Sequence, residues 1–147
     1  MFDKMRHSES IKMICEQVLQ EINCDFVGFA FQNSKGPDIQ WHIVAGNQSD
    51  KYKLISVRYG KGIAGRVIST GSSVTIEDFP NDIIGKALEY PIMLAEKLLY
   101  SFAVPIYFKG VSKGVFLVGQ RTKRSLTIDE KSVVQKAAAK IEDLFQS

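Results

Sequence analysis

The 147 residues predict an α+β fold: a central, mainly antiparallel sheet, with the N- and C-terminal helices packed on one face and a ligand pocket under a lid on the other. Three observations carry that expectation. Each end of the chain shows apolar residues at helical spacing. Two pairs of strand-like segments flank short turn signals, which makes hairpins and hence antiparallel pairing. Between Ile76 and Ser101 a long stretch lacks either period, and long excursions in compact domains tend to be binding lids.

The elements follow in order. Ser8 and Ser10 open a helix whose residues Ile11, Ile14, Cys15, Val18, Leu19 and Ile22 form one apolar stripe. Cys24 to Gln32 is rich in aromatic and β-branched residues and reads as a buried strand. The turn signal Asn33-Ser34-Lys35-Gly36-Pro37 leads to a second strand, Ile39 to Ala45. A short element at Tyr52 to Ile55 and a strand-like run from Ile55 to Tyr59 precede Gly60-Lys61-Gly62-Ile63-Ala64-Gly65. Ile63 to Thr70 then winds as a short helix stopped by Gly71. Val74 to Ile76 is a brief strand. Phe79 to Lys97 is the excursion, with short helical turns interrupted at Tyr90-Pro91. Ser101 to Phe108 and Lys113 to Arg121 form a second hairpin around Lys109-Gly110. Thr127-x-x-Glu130 is a capping box, and Val134, Ala137, Ile141, Leu144 and Phe145 stripe the last helix.

Composition sets the function classes. A hydrophobic share of 45% with 24% charged residues belongs to a soluble globular chain, read as a single domain over 1–147. No apolar run is long enough for a membrane span, and Met1 to Arg6 lacks the apolar core of a signal peptide. Two cysteines, Cys15 and Cys24, make no disulfide framework, so a cytoplasmic location is expected. A net charge of +3 is too small and too spread to point to nucleic acid. Lys109, Lys113, Arg121, Lys123 and Arg124 gather near one hairpin, where charged ends are usually just solvated.

The glycine stretch poses the functional question. Gly60 and Gly62 permit a tight turn, and the helix start that follows offers free N–H groups and partial positive charge to an anion. Gly60-x-Gly62-x-x-Gly65 also satisfies the dinucleotide fingerprint literally. Its context does not, because the helix spans about two turns and Glu77-Asp78 arrive too early for the acidic partner expected about 20 residues on. No Gly-Lys-Ser/Thr is present to make a P-loop. As a bare motif the glycines simply turn the chain between strand and helix. Trp41, mid-strand, and Tyr90-Pro91-Ile92, in the excursion, could close a pocket beside them, although Trp41 alone reads first as an ordinary core residue.

Catalytic groupings are missing. His42 alternates with Trp41 along its strand, so the two face opposite ways, and His42 reads as a surface residue. His7 lies near the terminus. Neither cysteine has a neighbouring thiol or metal-ligand spacing. Asp129-Glu130 suits a helix start. No acid/base pair, nucleophile or metal site is expected, and the chain is not expected to be an enzyme.

From Trp41 through Gly119 the chain resembles a GAF domain, and more narrowly the NreA-type nitrate receptors. The resemblance rests on Trp41 with Ala45-Gly46-Asn47, on Tyr52, on Arg58-Tyr59-Gly60-Lys61-Gly62-Ile63-Ala64-Gly65 and on Thr70-Gly71. It continues through Tyr90-Pro91-Ile92, Ala95-Glu96, Ser101-Phe102-Ala103-Val104-Pro105 and Gly114-Val115-x-Leu117-Val118-Gly119. It implies a nitrate-binding sensory protein acting on a sensor histidine kinase in nitrate- and oxygen-responsive regulation. The anion would rest against Trp41 and take hydrogen bonds from the amides of Ile63 and Ala64, at the helix start that Gly62 opens. Tyr90-Pro91-Ile92 would close the site, with the Ile92 backbone a further contact. Lys61 and Arg58 need not touch the ligand. Nitrate is the ligand, no cofactor or metal is implied, and a monomer or weak homodimer without nucleic-acid or membrane partners is expected.

Two alternatives come from the same fold. A free methionine sulfoxide reductase would need cysteines around the pocket, and none lies near Trp41, the glycines or the lid. A GAF module for a cyclic nucleotide or another small molecule would need a roomier pocket than bulky Trp41, Tyr90 and Ile92 suggest.

Overall fold

A computed structural model describes residues 6–33, 36 and 38–146. Residues 1–5 of the N-terminal stretch and Ser34, Lys35 and Pro37 of the first turn signal lie outside the described residues. The elements are α1 (Ser8–Glu21), β1 (Phe26–Gln32), β2 (Asp38–Ala45), β3 (Ser56–Arg58), α2 (Gly62–Thr70), β4 (Val74–Ile76), α3 (Pro91–Ala95), β5 (Tyr100–Phe108), β6 (Val111–Gln120) and α4 (Ile128–Gln146). Single 3₁₀ turns at Lys51–Leu54 and Ala87–Glu89 join them. The six strands form one sheet in the order β3-β2-β1-β6-β5-β4, with every pairing antiparallel.

The sheet is covered on both sides, which explains why every residue of the central strand β1 is buried. On one side, Val27, Phe29, Phe31, Tyr100, Phe102, Val104, Phe116 and Val118 pack against Ile11, Cys15 and Val18 of α1 and Val134, Ala137 and Ile141 of α4. The last helix starts with the expected reciprocal cap: Thr127 N–H donates to Glu130 Oε1 at 2.9 Å, and Glu130 N–H donates to Thr127 Oγ1 at 3.1 Å. On the other side, Phe26, Ala30, Ile39, Trp41, Ala103, Val115 and Leu117 pack against α2, α3 and the excursion.

Beyond Trp41, strand β2 does not keep period two: the pairing with β1 shifts at a bulge, so Phe29 faces Ile43 while Ala30 faces Trp41. His42 is the extra residue. Val44 therefore joins Ile39 and Trp41, while Ile43 turns to the helix-covered side. Lys12 of α1 donates to the Val44 carbonyl beside this bulge. The basic residues of the second hairpin do not form one group. Lys109 sits at its turn, whereas Arg121, Lys123 and Arg124 follow the far end of β6, a strand of 10 residues.

Candidate functional site

Each glycine of Gly60-x-Gly62-x-x-Gly65 meets a different need. Gly60 turns the chain at φ +83°, with open space around its Cα. Gly62 also has positive φ (+62°), and a Cβ there would lie 2.4 Å from the Glu89 carbonyl oxygen. A Cβ on Gly65 would lie 2.3 Å from the Arg58 carbonyl oxygen. The second glycine thus lets the excursion close onto the helix start, and the third lets α2 pack against β3. Gly65 N–H donates to Lys61 O at 2.9 Å, the first such bond of the helix, so the amides of Gly62, Ile63 and Ala64 ahead of it are its open donors. At the other end Gly71 adopts φ +66° and donates to Val67 O.

Trp41 is 3% exposed, on the sheet face opposite α1 and α4. Its six-membered ring lies over Gly28 of β1, where a Cβ would come within 3.0 Å of Cζ3. The bare Cα of Gly28 is the seat of this indole, a role that sequence reading missed. The third wall comes from the excursion. Tyr90 is 2% exposed, and its ring packs on Phe79 at 5.9 Å between centroids. Its hydroxyl donates to Ile84 O at 2.6 Å. Burial pushes the Tyr90 phenol above its ordinary pKa, with Arg66 opposing, so it stays a neutral donor. Pro91 begins α3 at a position where its missing N–H costs nothing.

These walls enclose a cavity of about 10 Å³ lined by Trp41, Val57, Ile63, Ala64, Glu89, Tyr90, Pro91 and Ile92. That is about the space of one water-sized sphere. Six of the seven residues expected at the site line it: Trp41, Ile63, Ala64, Tyr90, Pro91 and Ile92. Gly62 sits beside it, beneath the Glu89 carbonyl. Val57 and Glu89 are additional walls, and Glu89 Oε2 stands 4.0 Å from Lys61 Nζ.

The base of the lid is fixed by a charge pair that the sequence did not signal. Glu96, just after α3, is fully buried, and its Oε1 accepts from Arg121 Nη2 at 2.6 Å and from Gln48 N–H at 2.9 Å. Arg121 further donates to the carbonyls of Glu96, Asp25 and Gly46, while its own N–H donates to Asp25 Oδ2 at 2.7 Å. One guanidinium thus ties together the end of α3, the entry to β1 and the loop after β2. Met93 of α3 is also held, accepting from Ser101 Oγ of β5 at 3.0 Å.

Other chemistry lies elsewhere. Cys15 and Cys24 are buried on the helix-covered side, across the sheet from the cavity, and burial raises both thiols to about 12. They are inert thiols at neutral pH. Among the described residues no group of three or more His, Cys, Asp or Glu could hold a metal ion. No helix among them is long and apolar enough to cross a membrane.

The GAF domain family model matches residues 8–146, and the chain belongs to that family. Within it, the chain is of the NreA type. A Staphylococcus aureus NreA protein mutated in its nitrate binding site is 33% identical, with a TM-score of 0.76, over 85% of this chain and 93% of that one. A hypothetical protein from S. aureus is 36% identical, with a TM-score of 0.72, over 80% of this chain and 97% of that one. The free methionine-R-sulfoxide reductase of Neisseria meningitidis shares the fold, with a TM-score of 0.77 over 98% of this chain and 80% of that one, at only 14% identity. No curated protein matches the sequence.

Proposed function

We propose that this chain is a cytoplasmic nitrate-binding sensory protein that catalyses no reaction and modulates a partner sensor histidine kinase. One observation carries the nitrate reading. Trp41, the open first turn of α2 and Tyr90-Pro91-Ile92 meet at one small cavity, in a chain similar to a protein with a nitrate binding site. Nitrate would lie against the indole and accept from the amides of Ile63 and Ala64, with the amide of Ile92 as a further donor. A small, planar, weakly hydrated anion suits an apolar pocket with few donors, and the helix start supplies about half a unit of positive charge without a buried lysine. At about 10 Å³ the cavity admits such an ion only with an outward shift of the Tyr90–Ile92 wall. That shift would be the event a kinase reads, provided the kinase binds one ligation state more tightly than the other.

The competing readings lack support at this cavity. Sulfoxide reduction needs a thiol at the pocket, and both cysteines lie across the sheet. A cyclic nucleotide needs far more room.

Thermal melting at fixed ionic strength tests the ligand. Nitrate at about 100 times its Kd stabilises by about 2.7 kcal/mol, a rise in Tm of roughly 5–10 °C for a chain of this size. Chloride and sulfate are expected to give much smaller shifts. Equal shifts for all three anions would contradict the reading. The kinase link is tested separately, by kinase binding with and without nitrate; identical binding would remove it.

A further inference from the structure

Glu89 places a charge of the wrong sign beside the candidate anion cavity. It is one of the cavity walls, and its backbone carbonyl lies over Gly62 at the start of α2. The carboxylate is also seated. A Cβ on Gly85 would lie 2.2 Å from Oε1, so the bare Cα of that residue, at φ +87°, makes its berth. On the other side Oε2 faces Lys61 Nζ at 4.0 Å. The Glu89 side chain is 37% exposed and that of Lys61 62%, so the ammonium offsets the carboxylate only loosely. Glu89 lines the cavity and Lys61 is the cap residue just before the first turn of α2, so charges of opposite sign stand on the two residues that flank its mouth.

We propose that Glu89 is a specificity-determining residue: its carboxylate, partly offset by Lys61, is a charge filter that admits monovalent anions and rejects divalent ones. The proposal rests on the nitrate reading given above. A helix start with a lysine beside it is ordinarily a good place for phosphate or sulfate, and something has to reverse that preference. Repulsion from a fixed charge grows in proportion to the charge of the ligand. Whatever factor the carboxylate costs a monoanion, it costs a dianion the square of that factor. A small penalty on nitrate is thus a large one on sulfate. The loose Lys61 partner moderates the penalty without cancelling it.

Glu89→Gln and Lys61→Met test this in the full chain, at low fixed ionic strength so that screening does not hide the effect. Nitrate is titrated by Trp41 fluorescence and sulfate by competition against nitrate, with ligand-free melting as the check on folding. Glu89→Gln is expected to tighten nitrate about fivefold and sulfate about 25-fold, the squared factor. Lys61→Met is expected to weaken both, sulfate more than nitrate. The filter is overturned if Glu89→Gln leaves the nitrate-to-sulfate ratio unchanged, or if both variants move affinity in the same direction, as a merely structural role would. Absence of saturable nitrate binding in the unaltered protein is a separate result: it overturns the nitrate reading itself, and the filter with it.

Discussion

The two faces of the sheet are held by different means. On the helix-covered face, regular elements meet through large side chains, and Phe29, Phe116 and Tyr100 are fully buried between the strands and the helices α1 and α4. On the cavity face, the walls come from a bulged strand, a short helix and an excursion of short turns. They are joined through bare glycine Cα atoms and the pairing of the buried Glu96 with the half-buried Arg121. The first kind of packing gives stability that depends on apolar volume. The second gives close approach of backbone to backbone, which leaves amides and one indole around a space of about 10 Å³. Stability and binding are therefore expected to be separable by substitution.

The largest effect is expected on the helix-covered face. Phe29→Ala should cost about 3–5 kcal/mol in urea unfolding while leaving the nitrate Kd of the folded protein unchanged. A weakened Kd would break the separation. Arg121→Ala should cost about 3 kcal/mol, because it leaves Glu96 charged and buried without its partner. Unlike Phe29→Ala it should also weaken nitrate, since Glu96 anchors the end of α3. Gly62→Ala should cost about 2 kcal/mol through its positive φ and its clash with the Glu89 carbonyl, and should weaken nitrate more than Arg121→Ala does. Thr127→Ala, at the cap of α4, should cost about 1 kcal/mol with no change in binding.

The smallest expected effect is one of pH. Hydrogen bonding from the Thr127 N–H, helped by Arg124, holds the Glu130 carboxyl below its ordinary pKa. The folded state thus binds this proton less readily than the unfolded chain. Its contribution is fully present above the ordinary carboxylate range and is lost as pH falls through the lowered value. The stability gap between the protein and Glu130→Gln should accordingly be constant near neutrality and close on acidification. A gap that widened with acid would contradict the cap.

The same contrast decides what was legible in the sequence. The apolar stripes of α1 and α4, the buried run of β1, the hairpin around Lys109-Gly110 and the capping box all follow from local periods and local caps, and each stands where it was expected. That Trp41 and Tyr90 could close a pocket beside the glycines was legible from their bulk and position, but the roles of the Ile63 and Ala64 amides came from resemblance, because no local period relates residues so far apart. The bulge at His42 left no mark in composition, so Ile43 and Val44 could not be assigned to faces. Gly28 as the seat of Trp41 and Gly85 as the berth of Glu89 become visible only once two strands, or two turns, are brought together. Arg121 looked like one more solvated cation at a hairpin end. Only the fold shows that β6 delivers it to Glu96, Asp25 and Gly46.

The central claim is that the helix start beside Trp41 binds nitrate. Trp41 is the only tryptophan, so its emission reports on that site alone. Ala64→Glu places a carboxylate on the first turn of α2, at the cavity wall. Nitrate should change the emission of the unaltered protein along a saturating curve and that of Ala64→Glu only along the linear course of collisional quenching, with both proteins folded. Linear quenching of equal slope in the two would contradict the claim.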